Sequence, residues 1–474
     1  MKNIINIILV VSLFLTLASC NEKLETVPYD QIDIETGINN PDQLEMALLG
    51  AYGRLRDESY YGGEFLIKAD LYSDNLILNT EGRLSNKTNY EWRYDPNNSW
   101  ALNYYTYRTV YAANVVLKNI EHGGTLADNI EGEAKFLRAL AHFDALRNYS
   151  KIPTQSSDAN ASLGLPFVTE PDPQILPSRL TVAESYANII SDLTTAASLI
   201  NVDNGEGRVG KAGVYALLSR VYLYMGEWQK AESAANSAIT NSLTDVASQD
   251  VFASIWTDDS RDGLLFYVRN TSQDDITVGV PYSQTSSSGI KSEYVVDYAF
   301  YNLFDDTDIR KSAYIITSDF SGNSYNNVIK YYKRTSGNQG VVDMKVIRMS
   351  EVYLNLAEAA YRQNKPSIAL GALDKLRENR YADFVSPEES GAALLESIKL
   401  ERRLELAFEG HRFYDIKRWG ESVTRSDFGH FSDGTGNPAL YKVLSAGDHK
   451  FQLPINQDEI NVNPNMVQNP GYVE

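Results

Sequence analysis

Apolar side chains recur every three to four residues through most of the first half of the chain, the spacing that places them on one face of an α-helix. The same spacing returns after about residue 346. Residues 241–345 lose this period and are rich in Gly, Ser, Asn and Tyr, so we expect loops there with a few short strands, one of them over the apolar run 264–268. The pattern predicts helices over residues 41–56, 104–120, 130–149, 181–200, 211–240, 347–380 and 391–419.

Two of these helices begin with clear capping residues. Asn40 precedes Pro41 at the first helical position, and Thr181 stands three residues before Glu184, which is the spacing of a capping box. Residues 151–179 are rich in Pro, Ser and Asp, and we expect a long surface loop there.

Two helical stretches resemble each other, with tight turns at Gly226-Glu227 and Asn364-Lys365. In each, small residues such as Ala231 and Ala369 occupy positions where a second helix would cross the first. A helix, a tight turn and a second helix with small crossing residues form the tetratricopeptide unit. The chain is therefore predicted to be mostly α, with irregular tetratricopeptide-like repeats forming a helical scaffold that carries long loops and a few short strands.

The composition narrows the kinds of ligand. The chain has 43 basic and 62 acidic residues, with a net charge of −19 at pH 7, and binding to nucleic acid phosphates requires clustered cations. We therefore expect no nucleic acid partner. The 31 Tyr, 16 Phe and 5 Trp suit a neutral ligand or a protein partner, although tyrosines also pack between helices.

The N-terminus predicts export and lipidation. Lys2 precedes an apolar run too short to span a membrane, and the run ends at Leu17-Ala18-Ser19-Cys20, with the only cysteine of the chain. The alternative is an ordinary secretory peptide with an incidental cysteine. We predict a lipoprotein signal peptide over residues 1–19, acylation of Cys20, and a mature chain whose N-terminal region, 20–240, merges with its C-terminal region, 241–474, into one globular unit.

Three segments then carry a family resemblance. Residues 347–359 (IRMSEVYLNLAEA), residues 401–415 (ERRLELAFEGHRFYD) with the following RWG, and the closing LPI, NPN and QNPGY motifs resemble the SusD/RagB family of Bacteroidetes outer-membrane nutrient-binding lipoproteins. The resemblance implies a surface lipoprotein that binds an oligosaccharide, or in some relatives a peptide, and acts as a lid on a SusC-like TonB-dependent β-barrel transporter. It implies no catalysis and no cofactor, and it places the protein at the outer membrane, facing outward.

In this family the aromatic residues that contact the ligand come largely from loops outside the repeats, and these loops lack a fixed motif. Trp100 is the strongest single candidate, against the alternative that it anchors the core; Trp228 and Trp419 lie in repeat and family motifs and are expected to be structural. The full set of candidate ligand contacts is Asp74, Arg83, Trp92, Trp100, Asn103, Tyr104, Trp256, Tyr298 and Tyr301.

The charged family motif is expected to be structural. Glu401, Glu405 and Glu409 recur at four-residue spacing and would repel one another without cations between them. We expect a buried ion-pair network that joins the C-terminal helices to the repeats, with these cations supplied by Arg402, Arg403, Arg412 and Arg418. The Pro-rich closing motif is expected to lie extended across the helices.

Other chemistries are disfavoured. Residues 205–212 (GEGRVGKA) approach a phosphate-binding loop, but Ala212 lacks the hydroxyl that ligates magnesium. The five histidines have no zinc-ligand spacing, and neither Asp258-Asp259 nor Asp305-Asp306 has the spacing of a dedicated calcium site. A tetratricopeptide-type protein-interaction scaffold remains the alternative to a glycan-binding lid, and a hydrolase is a distant third.

Overall fold

The structure is a computed structural model that describes residues 37–274 and 276–472. About 46% of the described residues are helical, in agreement with the predicted mostly α fold. The signal peptide and Cys20 lie outside the described residues. The α-helices are α1 Pro41–Arg54, α2 Glu64–Leu71, α3 Lys87–Tyr90, α4 Leu102–Lys118, α5 Ala127–Tyr149, α6 Val182–Leu199, α7 Lys211–Met225, α8 Trp228–Asn241, α9 Gln249–Trp256, α10 Tyr298–Tyr301, α11 Ile309–Tyr314, α12 Met349–Arg362, α13 Pro366–Arg377, α14 Gly391–Glu405, α15 Arg412–Trp419 and α16 Gln457–Val462.

The strands are short and form small antiparallel sheets. Strand β1 pairs with β5, β2 with β8 and β9 with β10, while β3, β4, β6 and β7 form a four-stranded sheet in that order. Their bounds are β1 Leu76–Leu78, β2 Leu264–Val268, β3 Gln284–Ser286, β4 Gly289–Lys291, β5 Tyr294–Val296, β6 Ile315–Phe320, β7 Asn323–Val328, β8 Met344–Arg348, β9 Val423–Thr424 and β10 Val443–Leu444.

The predicted helix starts are confirmed. The side chain of Asn40 accepts a hydrogen bond from the backbone N–H of Gln43 at 3.0 Å, with Pro41 in the first turn. Thr181 and Glu184 form a reciprocal capping box at the start of α6. These local signals therefore fix where α1 and α6 begin.

The two similar stretches form helix pairs that pack against each other. The turn between α7 and α8 is made by Gly226, whose φ of 74° favours glycine. Leu223 of α7, Ala231 of α8 and Ala359 of α12 form a buried cluster covered by Trp228, which has the structural position expected for it. The small side chains allow the helices to cross closely, so the predicted tetratricopeptide-like packing is confirmed.

Two predicted helices are interrupted. The stretch 347–380 begins within strand β8, which pairs with β2, and helix α12 starts only at Met349. The stretch 391–419 divides into α14 and α15, because Phe408 and Gly410 have φ values of 66° and 82°, which no helix accommodates. The sequence pattern also missed α2, in which seven of eight residues are buried, so it has no polar face to create a helical period.

A contiguous hydrophobic core includes residues from both halves of the described chain, from Ile38 to Ile455. The closing motif lies against the end of α5: the side chain amide of Asn469 donates to the carbonyl oxygens of Tyr149 and Leu453. None of the helices in the described part of the chain combines the length and apolar character that a membrane span requires.

The expected buried ion-pair network is present, with a different set of cations between the glutamates. Glu405 binds Arg348 at 2.7 Å and Arg380 at 2.8 Å, and Arg348 also binds Glu409 at 2.6 Å. Lys330 reaches Glu409 at 2.7 Å. We call Glu405, Glu409, Arg348, Arg380 and Lys330 the ion-pair cluster.

The arginines of the motif itself bind other acids, which corrects the expectation that they separate the glutamates. Arg402 binds Asp415 at 2.8 Å, and Arg418 binds Glu358 of α12 at 2.6 Å. On α14 and α15 these side chains point away from the glutamate row, because neighbours along a helix project about 100° apart. The link from the C-terminal helices to the repeats is nevertheless made, through Glu358.

Replacing Glu405 by Gln is expected to lower the free energy of unfolding by about 3–5 kcal/mol, because removing one partner leaves buried arginines uncompensated. Burial alone would raise the pKa of Glu405, but Arg380 and Arg348 lower that pKa well below its ordinary value. Chemical denaturation followed by circular dichroism measures the change. Glu396→Gln, whose side chain is 72% exposed, is the matched control and should change stability by about 0.5 kcal/mol or less. An equal, small effect of both variants would contradict the proposed role of the cluster.

Candidate functional site

The three tryptophans predicted as ligand contacts are buried, each 3% exposed. Trp100 donates from Nε1 to the carbonyl oxygen of Ser59 at 3.1 Å and lies against Phe65. Trp92 donates to the carbonyl oxygen of Tyr72 at 2.9 Å, and Trp256 packs edge-on against Tyr314. None of the three offers a ring face to solvent, so the structure corrects the expectation for Trp100 in favour of its alternative, a core anchor.

Asp74 is also committed to the interior. Its carboxylate accepts from Arg412 at 2.7 and 2.8 Å and lies 3.2 Å from Arg403. Burial alone would raise the pKa of Asp74, but Arg403 and Arg412 hold that pKa well below its ordinary value. Asp74 therefore joins the loop before β1 to the last helices, and no carboxylate oxygen is free for a ligand.

Arg83, Tyr298 and Tyr301 do reach the surface. The side chain of Arg83 is 61% exposed and its guanidinium lies 3.0 Å from Glu293, while Tyr298 and Tyr301 are half-buried on the single turn of α10. Tyr298 meets Phe428 edge to face, with ring centroids 5.0 Å apart, and Phe428 is 43% exposed. We call the Tyr298–Phe428 pair, together with the polar residues of the two segments that the loop 426–437 contacts, the aromatic platform; these polar residues are Thr80, Glu81, Arg83, Asn323 and Asn437.

Local structure holds the two rings in place. Asp297 caps α10 by accepting from the N–H of Ala299 at 2.9 Å, and its other oxygen accepts from Ser426 at 2.6 Å, which ties the loop of Phe428 to the helix of Tyr298. Gly434 passes directly beneath: a Cβ there would stand 2.6 Å from Tyr298 and 2.8 Å from Phe428, and its φ is 82°. Only glycine satisfies both conditions.

Hydrogen bonds join polar groups on three segments, one of which is the loop that carries Phe428. Glu81 accepts from the hydroxyl of Tyr325 at 2.6 Å and from the amide of Asn323 at 3.2 Å, and the bond from Tyr325 lowers the pKa of Glu81. Thr80 accepts from the amide of Asn437 at 2.9 Å. These contacts bring the segment 80–83, strand β7 and the loop 426–437 to one surface, where hydroxyl, amide, carboxylate and guanidinium groups remain accessible.

Sequence reasoning missed Phe428. It lies in a Gly- and Ser-rich loop with no periodic neighbours, and nothing in the loop itself indicates a partner on α10. The one usable signal was the density of glycines between residues 429 and 436, which permits close approach to aromatic rings.

Asn103 and Tyr104 belong to a different surface. They line a cleft of about 560 Å³ along one face of α4, together with Tyr107 and Tyr111. Asn103 is 7% exposed, whereas Tyr104 is 54% exposed. Eight of the nine predicted residues thus divide among the interior, the platform and this cleft, and the ninth, Tyr301, is half-buried on α10 with Lys311 over its ring.

The described residues provide no metal cluster. Within residues 37–274 and 276–472, no three His, Cys, Asp or Glu side chains are arranged to hold a metal ion. Asp258, one of the acidic pairs considered for calcium, is instead bound by Lys345 at 2.6 Å and Arg334 at 2.8 Å.

Comparison with known proteins gives the family. Residues 321–472 match the SusD family, and residues 24–223 match a SusD-like family described as starch-binding and associating with the outer membrane. The chain belongs to the SusD/RagB family. Proteins of this kind bind carbohydrate and are not catalytic, which agrees with the prediction that this SusD/RagB protein is not an enzyme.

Relatives cover nearly the whole chain. SusD-like protein P25 of Formosa agariphila is 24% identical over 98% of this chain and 99% of its own length. Two solved structures are similar as well. A protein of Bacteroides vulgatus named as a candidate sugar-binding protein is 30% identical, covering 92% of this chain and 100% of that one, with a TM-score of 0.82. A SusD superfamily protein of Bacteroides thetaiotaomicron is 28% identical over 91% of this chain and 100% of that one, with a TM-score of 0.79.

Replacing Asp74 by Asn is expected to lower the free energy of unfolding at pH 7 by about 2–3 kcal/mol, since both arginines then lack a carboxylate partner. The pKa of Asp74 is lower in the folded than in the unfolded chain, so its contribution is fully present above the unfolded pKa of about 3.9 and is lost as the pH falls further. Denaturation of both proteins between pH 7 and pH 2.5 should give a constant difference that narrows only below about pH 4. A difference that already disappears near pH 6 would contradict this assignment.

Proposed function

We propose that this SusD/RagB protein binds an oligosaccharide on the aromatic platform. The observation that carries the proposal is the edge-to-face pair of half-buried Tyr298 and exposed Phe428, on a loop that also contacts exposed polar side chains. The C–H faces of pyranose rings stack on aromatic rings, while their hydroxyl groups bond to amide, carboxylate and guanidinium groups. Glu81, Asn323 and Arg83 offer all three kinds of group on the segments that the loop of Phe428 contacts.

The platform suits a neutral glycan better than a charged ligand. Glu81 and Glu293 offset the single guanidinium of Arg83, so the surface has no net positive charge to attract phosphate or sulfate. The platform is also open to solvent, so it can bind one segment of a long glycan chain. Family membership supports carbohydrate as the ligand class, since one of the matching families is described as starch-binding.

We further propose that the protein is anchored to the outer membrane through Cys20, faces outward, and acts as the lid of a SusC-like TonB-dependent β-barrel transporter. The description of the matching family as associating with the outer membrane supports this location. A lid that only captures and releases a glycan catalyses no reaction, in keeping with the non-catalytic character of the family. The family's peptide-binding lids and a protein-interaction scaffold built on the repeats are the alternative roles.

Replacing Phe428 by Ala is expected to weaken oligosaccharide binding about tenfold, because one of the two stacking rings is lost. Affinity electrophoresis in gels containing starch, a fructan or a mannan identifies the retarding glycan, and calorimetry with the corresponding oligosaccharide measures the loss. Phe428 lies in an exposed loop, so the melting temperature should stay within a few degrees of the wild-type value.

Tyr104→Ala is the matched control, because Tyr104 is an exposed aromatic residue outside the platform. It should retain the wild-type affinity for the same oligosaccharide. Loss of binding in Tyr104→Ala with full binding in Phe428→Ala would move the glycan site to the α4 cleft. Absence of retardation by every glycan tried would favour the scaffold or peptide-binding role.

Purification of the tagged protein from detergent-solubilised outer membranes is expected to recover a TonB-dependent β-barrel in about equal amounts, together with acyl chains on Cys20 detectable by mass spectrometry. The Cys20→Ser variant should lack the acyl chains. Recovery of a lipidated protein without any barrel would exclude the lid while leaving glycan binding untouched.

A further inference from the structure

The cleft along α4 is separate from the aromatic platform and shares no residue with it. One wall is α4, with Tyr104, Tyr107 and Tyr111 on one face; the loop 165–177 and the closing segment 455–466 form the others. At about 560 Å³ it has the size of a ligand site rather than a packing defect.

The cleft is mostly apolar, and its rim exposes large apolar side chains. Ile175 is 41% exposed, Leu176 46% and Val462 67%, beside Tyr104 at 54%. These residues are neighbours, because the amide of Asn465 donates to the carbonyl oxygen of Leu176 at 2.8 Å. Clustered exposed apolar groups around a groove are typical of surfaces that bind another polypeptide.

One carboxylate in the lining has no partner. Glu459 of α16 is half-buried, and among the described residues no hydrogen-bond donor or cation lies within bonding distance of its carboxylate. Burial, with Asp458 beside it, raises the pKa of Glu459. Glu170 and Asp172 add further negative charge to the lining.

The cations of the lining do not neutralise Glu459. Arg108 lies 3.3 Å from Asp57 and over the ring of Tyr104, and among the described residues no ion pair joins Arg54 or Arg108 to Glu459. The part of the cleft beside α16 therefore combines apolar walls with uncompensated negative charge, which favours a positively charged group.

The amides of the cleft are already used, which argues against a sugar. Asn463 donates to the carbonyl oxygen of Pro177 at 2.9 Å and accepts from the N–H of Asn465 at 3.0 Å. The Oδ1 of Asn103 accepts from Tyr149 at 3.3 Å. The aliphatic walls give sugar hydroxyl groups no partners, and the acceptors that remain are carboxylates, which favour a cation over a neutral hydroxyl.

The cleft is also held open in advance of binding. The hydroxyl of Tyr107 donates to the carbonyl oxygen of Pro166 at 2.5 Å, and Nε2 of His142 accepts from the N–H of Val168 at 3.2 Å. These bonds fix the loop 165–177 against α4 and α5. A site formed before binding loses little conformational entropy when it is filled.

We propose that the α4 cleft is a docking site for an extended polypeptide segment of a partner protein, one that carries apolar side chains and a basic residue that pairs with Glu459. The apolar side chains of the segment cover the tyrosine face and the aliphatic walls. The basic side chain enters between the rings and the carboxylate. There it forms an ion pair with the carboxylate and a cation–π contact with the ring faces. This site goes beyond the proposed glycan platform and does not depend on it.

The test uses the full chain and two dye-labelled, end-capped peptides of leucine and proline, one with a central lysine and one with glutamine in its place. Fluorescence anisotropy is expected to give about tenfold tighter binding of the lysine peptide. Glu459→Gln should abolish that preference, and Leu176→Ser at the rim should weaken both peptides several-fold.

Glu121→Gln removes an exposed acid outside the cleft and should leave both affinities unchanged, which separates the site from general attraction to an acidic protein. Equal binding of the two peptides to the wild type, an unchanged preference in Glu459→Gln, or no binding at millimolar peptide would each overturn the proposal. Displacement of the lysine peptide by the oligosaccharide that binds the platform would overturn it too. Phe428→Ala should bind both peptides normally, so failure here and failure of the glycan proposal are distinguishable.

Discussion

The pairing of buried carboxylates with buried arginines is the constraint on which the rest of this structure depends. The row Glu401, Glu405 and Glu409 runs through the interior, and each charge there would cost several kcal/mol to bury alone. Arg348, at the junction of β8 and α12, binds two of these glutamates at once. The pairing therefore fixes the C-terminal helices to the second helix pair at a single position, because a shift of either element separates charges that have no access to water.

The same principle positions the surface loops. Asp74 ties the chain before β1 to Arg403 and Arg412, and Arg425 donates to the carbonyl oxygens of Leu71 and Ser73. Arg425 immediately precedes Ser426, which bonds to the cap of α10. The rings of the aromatic platform thus stand on loops that are anchored by charge to the helical scaffold. A binding surface composed of loops from distant parts of the chain acquires in this way the rigidity that its own backbone lacks.

Local features were predictable from the sequence, and features set by distant contacts were not. The caps at Asn40 and Thr181 and the strand 264–268 depend on neighbouring residues, and each was correct. The cations that neutralise Glu405 come from residues 25 and 57 positions away, which no local pattern indicates. In the sequence, Trp100 lies next to a loop, where residues that contact a ligand are expected. In the structure, Phe65 and Lys68, more than thirty residues earlier in the chain, cover its ring. Burial of an aromatic residue is a property of the fold, so a sequence that identifies the family still leaves its ligand residues open.

The platform and the α4 cleft use tyrosine in opposite ways, which explains how one tyrosine-rich chain can serve two kinds of ligand. At the platform, Tyr298 packs against the loop 426–437, which also contacts segments with exposed amide and carboxylate groups. In the cleft, the hydroxyl of Tyr107 donates to the carbonyl oxygen of Pro166, and a ligand meets aromatic and aliphatic walls with the carboxylate of Glu459. The polar neighbours of an aromatic residue thus decide which ligand it favours. Unpaired polar groups favour a hydrated sugar, because they bond to its hydroxyl groups. Where such groups are absent, sugar hydroxyls would stay unpaired and an apolar side chain is favoured instead.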